Sequence, residues 1–370
     1  MSSPRNDIPA SLGIKHSHFI LCGLSETALP QKSVTPPMST ALVITSINPP
    51  NAALRELASG AIAHEWNFVL AGDSKSPADF HLDGCRFLSL EAQRKSGFAL
   101  GAVAPERSYT RKNLGYLAAI QSGASVIVET DDDNHPNERF WSPRTPHVAC
   151  RPVETDGWVN AYRYFSQDFI YPRGLPLTHA RADVPNAGGL ESTDCPIQQG
   201  LADSDPDVDA VYRMLFPLPF HFEIAHEPVL LRNGSWCPFN SQNTTFFHDA
   251  FPLLYLPAHC SFRMTDIWRS FVAQRVLQAK GSGVVFHGPT VWQERNDHDL
   301  HRDFTDELPG YSNNARIREV LNELSFDSGE SFQTMMERCY QEMIRHGWVG
   351  SEEETLLRAW FEDLHALGVH

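Results

Sequence analysis

Residues 126–134 read Val-Ile-Val-Glu-Thr-Asp-Asp-Asp-Asn, a short β-branched run followed directly by three carboxylates. The run has the composition of a buried strand, which places the acidic cluster at the carboxyl end of that strand. In open α/β sheets, ligands bind outside the carboxyl ends of the strands. Three adjacent aspartates repel one another unless a cation lies among them, so the stretch predicts a divalent metal that neutralises a bound polyphosphate. The alternative is a solvated acidic turn, which is common for charge runs.

Strand and helix patterns alternate before this stretch. The predicted strands are residues 41–47, 67–71, 86–90 and 125–130, and the predicted helices are residues 51–63 and 109–122. Strands separated by helices imply a parallel sheet with right-handed crossovers. The sequence therefore predicts an α/β fold.

The remainder of the chain is less regular. Residues 135–210 are rich in Pro, Gly, Asp and Asn. Long irregular stretches of this kind usually shape a binding site or are disordered, and the aromatic residues within this one favour a binding site. Beyond them we expect a helix over 265–280, a strand over 283–286, a polar loop over 294–310 and helices within 314–368. Residues 1–37 lack sustained periodicity. We expect them to form a disordered extension before a functional start at Met38.

Charge and composition exclude several classes of protein. The 370 residues carry a formal net charge of −15, which argues against a main role in binding nucleic acid or an anionic membrane. The seven cysteines form no CxxC pair, which is typical of reduced thiols in a cytoplasmic protein. No apolar stretch has the length of a transmembrane segment. Small anionic ligands remain compatible with a local basic pocket.

Three motifs together point to a family. Tyr-Thr-Arg-Lys-Asn-Leu-Gly-Tyr at 109–116 precedes the acidic strand by one helix. Downstream lie Gln-Gln-Gly-Leu-Ala-Asp-Ser-Asp-Pro-Asp-Val-Asp-Ala-Val-Tyr-Arg at 198–213 and Arg-Met-Thr-Asp-Ile-Trp-Arg-Ser-Phe-Val-Ala-Gln-Arg at 263–275. With the acidic strand, they resemble the STELLO-type glycosyltransferase family over most of residues 41–295. The resemblance implies a GT-A, Rossmann-like fold: a mostly parallel twisted sheet with flanking helices, an irregular acceptor-side insert and a C-terminal helical region.

The resemblance also implies a function and a domain organisation. Residues 38–310 would form the GT-A domain, with the nucleotide-sugar half at 38–134 and the acceptor half at 135–310, and residues 311–370 would form the helical region. A sugar would pass from a nucleotide-diphosphate donor, expected to be UDP-linked, to a glycan or another hydroxyl acceptor, with Mn²⁺ or Mg²⁺ as cofactor. Two alternatives are a UDP-sugar mutase similar to the reversibly glycosylated polypeptides and a non-catalytic scaffold for glycan-synthesis enzymes.

Specific residues follow from the same resemblance. Asp131 and Asp133 are the predicted metal ligands, and Asp131 is also expected near the donor ribose. His287 is the predicted third ligand, with His298 and His301 as rivals. The other predicted donor-binding residues are Thr45, Asp73, Arg111, Lys112 and Asn113. Each of these has a structural alternative, namely a turn, a helix start or a loop anchor.

Asp266 is the predicted catalytic residue. It opens the helix expected over 265–280, where an acidic residue is favoured by the helix dipole alone. In similar inverting enzymes an Asp or Glu takes the proton from the acceptor hydroxyl, and the resemblance implies that role for Asp266. Such a base must lie within hydrogen-bond reach of the nucleophile.

Overall fold

The computed structural model describes residues 38–223, 226–294, 299–327 and 329–370, so the extension predicted at residues 1–37 lies outside the described residues. Its strands are β1 (Thr40–Thr45), β2 (Asn67–Ala71), β3 (Cys85–Leu88), β4 (Val126–Thr130), β5 (Asn134–Pro136), β6 (His147–Glu154), β7 (Gly157–Trp158), β8 (Glu191–Asp194), β9 (Ile197–Asp203), β10 (Val229–Arg232), β11 (Ser235–Trp236), β12 (Asn243–Phe247) and β13 (Val284–Gln293). Its helices are α1 (Ala52–Ala63), α2 (Leu90–Arg94), α3 (Ala99–Val103), α4 (Lys112–Gln121), α5 (Ala210–Leu215), α6 (Thr265–Ala279), α7 (Leu300–Glu323), α8 (Phe332–Arg345) and α9 (Glu353–Ala366).

The N-terminal half of the sheet is parallel. Strands β3, β2, β1 and β4 lie side by side in that order, and Val43 of β1 pairs with Val69 of β2 and with Glu129 of β4. Val43 packs into the apolar cluster that includes α4, whereas Ile44 packs into the cluster that includes α1. Both faces are covered, which explains why these strands are continuous apolar runs. The register brings the carboxyl ends of β1, β2 and β4 to one edge.

The second half of the sheet is mixed. From β4 the order continues through β12, β9, β13, β10, β6 and β8, with β5 paired to β13, and β12 runs antiparallel to both β4 and β9. The predicted α/β class is therefore confirmed, although β9 and β12 were not expected. Both carry polar side chains that hydrogen-bond one another in the interior: Thr244 Oγ1 donates to Gln199 Oε1 at 2.9 Å. An apolar pattern cannot reveal such strands.

The polar loop predicted over 294–310 is wrong from residue 300 onward. Helix α7 begins at Leu300, after Asp299 accepts a hydrogen bond from the backbone N–H of His301 at 3.0 Å. Pro309 lies inside α7, and the buried side of the helix includes the polar residues Glu307 and Asn314. Both features are unusual in a helix, so the sequence pattern did not predict one here. The expected domain boundary at residues 310 and 311 falls within α7.

The C-terminal helices pack against the sheet domain. Asp363 of α9 accepts hydrogen bonds from the backbone N–H groups of Ala99 and Leu100 at 2.7 and 2.9 Å, which caps α3. Glu353 accepts from the backbone N–H groups of Ala258 and His259 at 3.0 and 2.8 Å. These contacts tie the two ends of α9 to helix α3 and to the loop before α6. Among the described residues, no helix has the length and hydropathy needed to cross a membrane.

Candidate active site

A cavity of about 480 Å³ lies at the carboxyl edge of the parallel half of the sheet. The segments after β1, β2 and β4 line one side of it, and the start of α6 and the loops beside it line the other. Among the predicted site residues, those that line the cavity are Thr45, Asp73, Asp131, Asp133 and Asp266. This location is the one expected for a ligand site in an open α/β sheet.

Asp73 is held rigidly at the end of β2. Its carboxylate accepts hydrogen bonds from the backbone N–H groups of Ser74 at 2.6 Å and Ser108 at 2.9 Å. Burial alone would raise the pKa of Asp73, but these backbone donors and the charge of Arg111 outweigh it and lower the pKa. Asp73 therefore stays ionised and joins β2 to the loop before α4. Thr45 faces the same edge and donates its hydroxyl to the Ala71 carbonyl at 2.8 Å.

The three consecutive aspartates have different surroundings. Asp132 accepts hydrogen bonds from the Ser46 hydroxyl and from Asn48 Nδ2, the latter at 3.0 Å, and its carbonyl accepts from Asn51 Nδ2 at 2.7 Å. Since Asn51 also caps α1, Asp132 fixes the strand end to that helix. Asp133 Oδ1 accepts a hydrogen bond from Gln293 Nε2 at 2.9 Å.

Asp131 is strongly perturbed by its electrostatic surroundings. Its side chain is 30% exposed, and its Oδ1 accepts a hydrogen bond from the Tyr109 hydroxyl at 3.2 Å. Burial raises the pKa of Asp131 to about 7, and Asp133, Asp266 and Asp132 add to the rise, whereas Lys112 opposes it. Because burial and neighbouring carboxylates disfavour the ionised form of Asp131, a cation bound here would stabilise that form.

Lys112 lies beneath this carboxylate and does not line the cavity. Its Nζ donates to the Tyr109 hydroxyl and to the Thr130 carbonyl, both at 2.9 Å, and lies 3.6 Å from Asp131 Oδ1. The prediction of direct donor contact is therefore corrected: Lys112 is a buried counter-charge that supports Asp131 and Tyr109 from below. The periodicity of α4 does not predict that Lys112 is buried, because its carbonyl partners are Thr130 of β4 and Ser241 of a distant loop.

Arg111 and Asn113 also lie outside the cavity. The Arg111 guanidinium donates to the carbonyls of Ala104 at 2.7 Å and Pro105 at 3.0 Å, so it shapes the loop that precedes it. Asn113 exchanges two hydrogen bonds of 2.9 Å with the backbone of Leu256. Their predicted donor contacts are corrected to structural roles, because every polar group named here is already used within the fold.

The cations that do line the cavity beside Asp73 are Lys75 and Arg107. Both are exposed, and neither side chain has a hydrogen-bond or ion-pair partner among the residues that the structure describes. Arg107 has a φ of 55°, a left-handed conformation that is uncommon outside glycine. The sequence did not indicate either residue as a ligand contact, because both lie in turns or bends, where a basic side chain is usually only solvated.

On the opposite side, Arg173 lies between two carboxylates. Its Nη2 is 2.8 Å from Asp266 Oδ2 and 2.9 Å from Asp207 Oδ2, and its Nε is 2.7 Å from Asp207 Oδ1. Burial would raise the pKa of Asp266, but Arg173 reverses the effect and the pKa is lowered. Asp266 thus lines the cavity, in an ion pair that no sequence motif indicated.

Ser241 connects the two sides of the cavity. Its hydroxyl is hydrogen-bonded to the Tyr109 hydroxyl, and its backbone N–H donates to Asp266 Oδ2 at 3.3 Å. Tyr109 in turn reaches Asp131, so a continuous series of hydrogen bonds runs from Asp131 to Asp266. This arrangement fixes the separation of the two carboxylates.

The two predicted histidine ligands that the structure describes, His287 and His301, are not at the site. His287 does not line the cavity; its Nδ1 lies 3.0 Å from the Gly288 carbonyl oxygen, and burial lowers its pKa to about 4. His301 is exposed on α7 and also lies away from the cavity, whereas His298 is outside the described residues. The assignment of His287 as a metal ligand is therefore corrected, because β13 directs its ring toward Gly200 of the neighbouring strand.

The carboxylates present suit a cation that takes most of its ligands from a substrate. No group of three or more His, Cys, Asp or Glu side chains converges on a metal position within the described ranges. Asp131 and Asp133 nevertheless both face the cavity. Mg²⁺ is commonly bound by one or two carboxylates together with substrate phosphates and water, and Mn²⁺ accepts the same oxygen ligands. The site therefore fits a metal ion that is bound jointly by Asp131, Asp133 and the diphosphate of a substrate.

Comparison with known proteins relates the chain to one family. The model of the STELLO glycosyltransferases matches residues 263–370. Two relatives from Arabidopsis thaliana, Probable glycosyltransferase STELLO2 and Probable glycosyltransferase STELLO1, are 31% and 30% identical over 82% and 85% of this chain. The chain belongs to the STELLO glycosyltransferase family. Its resemblance to this family in sequence motifs is thereby confirmed. The chain spans 42% and 43% of the length of these STELLO relatives.

Two solved structures also superpose on the STELLO chain. Glucosyl-3-phosphoglycerate synthase from Mycobacterium tuberculosis, in complex with phosphoglyceric acid, has a TM-score of 0.40 at 11% identity and covers 75% of this chain and 80% of its own. S. aureus TarS in complex with UDP-GlcNAc has a TM-score of 0.32 at 10% identity and covers 89% and 80%. Neither superposition is close enough to transfer the role of any residue.

Proposed function

We propose that this protein is a metal-dependent glycosyltransferase that moves a sugar from a UDP-linked donor to a hydroxyl acceptor. The observation that carries the proposal is that one cavity contains both crowded carboxylates at the end of β4 and two cations whose side chains have no partner among the described residues. Asp131 and Asp133 supply the carboxylates, and Lys75 and Arg107 supply the cations. Membership of the STELLO family supports the same reaction class.

The donor would lie along the ends of β1, β2 and β4. Thr45 and Asp73 face the part of the cavity suited to the nucleoside, and Lys75 and Arg107 would contact the diphosphate. Asp131 and Asp133 would hold Mn²⁺ or Mg²⁺, which when bound stabilises the negative charge of the departing nucleoside diphosphate. Lys112 and Tyr109 keep Asp131 oriented toward the cavity.

The acceptor would enter on the side of Asp266 and Arg173. In the proposed reaction the acceptor oxygen forms a bond to the anomeric carbon, the bond from that carbon to the diphosphate oxygen breaks, and UDP leaves. The acceptor proton passes to the Asp266 carboxylate. Because Arg173 lowers the pKa of Asp266, this carboxylate is ionised and able to accept the proton, although it is a weak base.

The compartment belongs to the proposal as well. The six cysteines among the described residues are free thiols. Unpaired cysteines of this number are usual in a reducing environment and support a cytoplasmic setting.

A screen of UDP-sugars tests the reaction. Purified protein is incubated with UDP-glucose, UDP-galactose, UDP-GlcNAc or UDP-arabinose, with Mn²⁺ or with EDTA, and both UDP release and the fate of the sugar are measured. Metal-dependent UDP release from at least one donor, lost in Asp133→Asn, supports the proposal. Ring isomerisation of an intact UDP-sugar would identify a mutase instead. The absence of turnover and of metal-dependent UDP binding would favour a scaffold.

A further inference from the structure

Phe262 is an unusual residue for the wall of this cavity. Its side chain is 62% exposed although it is large and apolar, and it lines the cavity at the turn before α6. Other aromatic residues of the middle of the chain differ from Phe262 in exposure: Trp158, Tyr162, Trp236 and Phe239 are buried in the core. Phe262 is thus an accessible aromatic face at the site, placed where a ligand can cover it.

The position of Phe262 relates it to the acceptor side. It precedes Asp266 by four residues, and its ring packs edge-on against Tyr109 with the centroids 5.9 Å apart. Tyr109 in turn donates to Asp131. Phe262 therefore lines the same cavity as Asp131 and Asp266 and contacts a residue that bonds to Asp131, so it is accessible to an acceptor that reaches both carboxylates.

The guanidinium groups described on this side are all paired with carboxylates. Arg173 pairs with Asp207 and Asp266, Arg213 pairs with Asp205, and Arg263 pairs with Glu307, so three guanidinium groups face four carboxylates. By contrast, Lys75 and Arg107 on the donor side have no partner among the described residues. Among the residues that the structure describes, an anionic acceptor would find no unpaired positive charge near Asp266. The carboxylate oxygens of Asp207 and Asp266 can instead still accept hydrogen bonds from neutral hydroxyl groups, since a carboxylate has about four acceptor positions.

Building on the proposed function, we infer that the acceptor is a neutral saccharide whose ring stacks on Phe262 while its hydroxyl groups bond to the Arg173–Asp266–Asp207 cluster. The ring of Phe262 contacts the apolar face of the sugar ring, and the charged groups of the cluster form hydrogen bonds with its equatorial hydroxyls. Lys75 and Arg107 bind the diphosphate of the donor and do not contact the acceptor. Phe262 is accordingly a residue that determines acceptor specificity.

Calorimetry on the full chain tests this inference in two stages. The first stage measures UDP binding in the presence of Mn²⁺, and its failure would count against the proposed function itself. The second stage titrates the protein loaded with Mn²⁺ and UDP with glucose, cellobiose, maltose, lactose and xylobiose, and with the anionic sugars glucuronic acid and glucose 6-phosphate. We expect at least one neutral saccharide to bind, and glucose to bind at least as well as its two anionic derivatives.

Variants then separate stacking from general effects on the fold. We expect Phe262→Ala to weaken saccharide binding by about tenfold, which corresponds to ~1.4 kcal/mol, with a much smaller change in UDP affinity. Phe262→Trp keeps an aromatic face and should retain binding. Leu215→Ala is the matched control, because Leu215 is also large, apolar and exposed (69%) but lies away from the cavity.

Four results would overturn the inference. In the parent protein, these are failure of every neutral saccharide to bind at millimolar concentration while UDP still binds, and tighter binding of the anionic sugars than of glucose. In Phe262→Ala, they are unchanged saccharide binding, and a loss of UDP binding as large as the loss of saccharide binding. The last result would place the nucleotide base on Phe262.

Discussion

Arg173 Nη2 lies 2.8 Å from Asp266 Oδ2, and the same guanidinium group also binds Asp207. One buried cation therefore holds two carboxylates at the acceptor side of the cavity. Because removal of one partner from a buried ion pair leaves the other charge uncompensated, the members of this cluster should differ in how much their loss destabilises the fold.

Arg173→Gln should be the most damaging change in this cluster. It leaves two carboxylates unpaired and should lower the free energy of unfolding by about 3–5 kcal/mol. Asp266→Asn leaves Arg173 paired with Asp207 and should cost about 1–2 kcal/mol. Urea denaturation measures both, with the surface residue Arg151 changed to Gln as a control expected to have little effect. An equal or larger cost for Asp266→Asn would show that the pairing has been misjudged.

The basic residues near the donor should fall into two classes. Lys75→Ala and Arg107→Ala should each weaken UDP binding by about tenfold, since each removes a charged hydrogen bond to the diphosphate. Arg111→Ala should act mainly on folding and lower the free energy of unfolding by about 2 kcal/mol, because its guanidinium bonds to two backbone carbonyls. Calorimetry and denaturation of the three variants, with Lys95→Ala as a control remote from the cavity, distinguish the classes. A selective loss of UDP affinity in Arg111→Ala would restore its predicted donor contact.

The sequence was sufficient for the features that depend on local patterns. Apolar runs with flanking turns located β1, β2 and β4, and parallel crossovers then required their carboxyl ends to meet, which brought Thr45, Asp73 and Asp131 to one edge. The position of Asp266 at the start of α6 followed in the same way from a helix start signal.

Features that depend on distant contacts were not predictable. Whether Lys112 faces a ligand or the interior is decided by the carbonyls of Thr130 and Ser241, and the latter is far away in sequence. Arg173 likewise meets Asp266 across 93 residues of chain. Buried ion pairs of this kind interrupt the apolar pattern on which a prediction rests, so they resemble surface residues until the fold is known.

Asp131 should make the stability of the metal-free protein depend on pH. Its pKa is raised from 3.8 to about 7, so the folded state binds this proton more tightly than the unfolded chain. The stability contributed by this group is present at low pH and is lost as the pH rises through about 7. Relative to Asp131→Asn, the parent protein should lose on the order of 1–2 kcal/mol between about pH 5 and about pH 8, allowing for screening by solvent. Denaturation in EDTA at several pH values measures the difference, and a constant difference would contradict the elevated pKa.

The most direct test of the central claim is the heat of UDP binding with and without Mn²⁺. If Asp131 and Asp133 bind a cation together with a diphosphate, UDP binds far more tightly with the metal, Asp133→Asn abolishes the difference, and His287→Gln retains it because His287 lies outside the cavity. UDP affinity that is the same with and without metal, or a metal effect that survives in Asp133→Asn, would contradict the account.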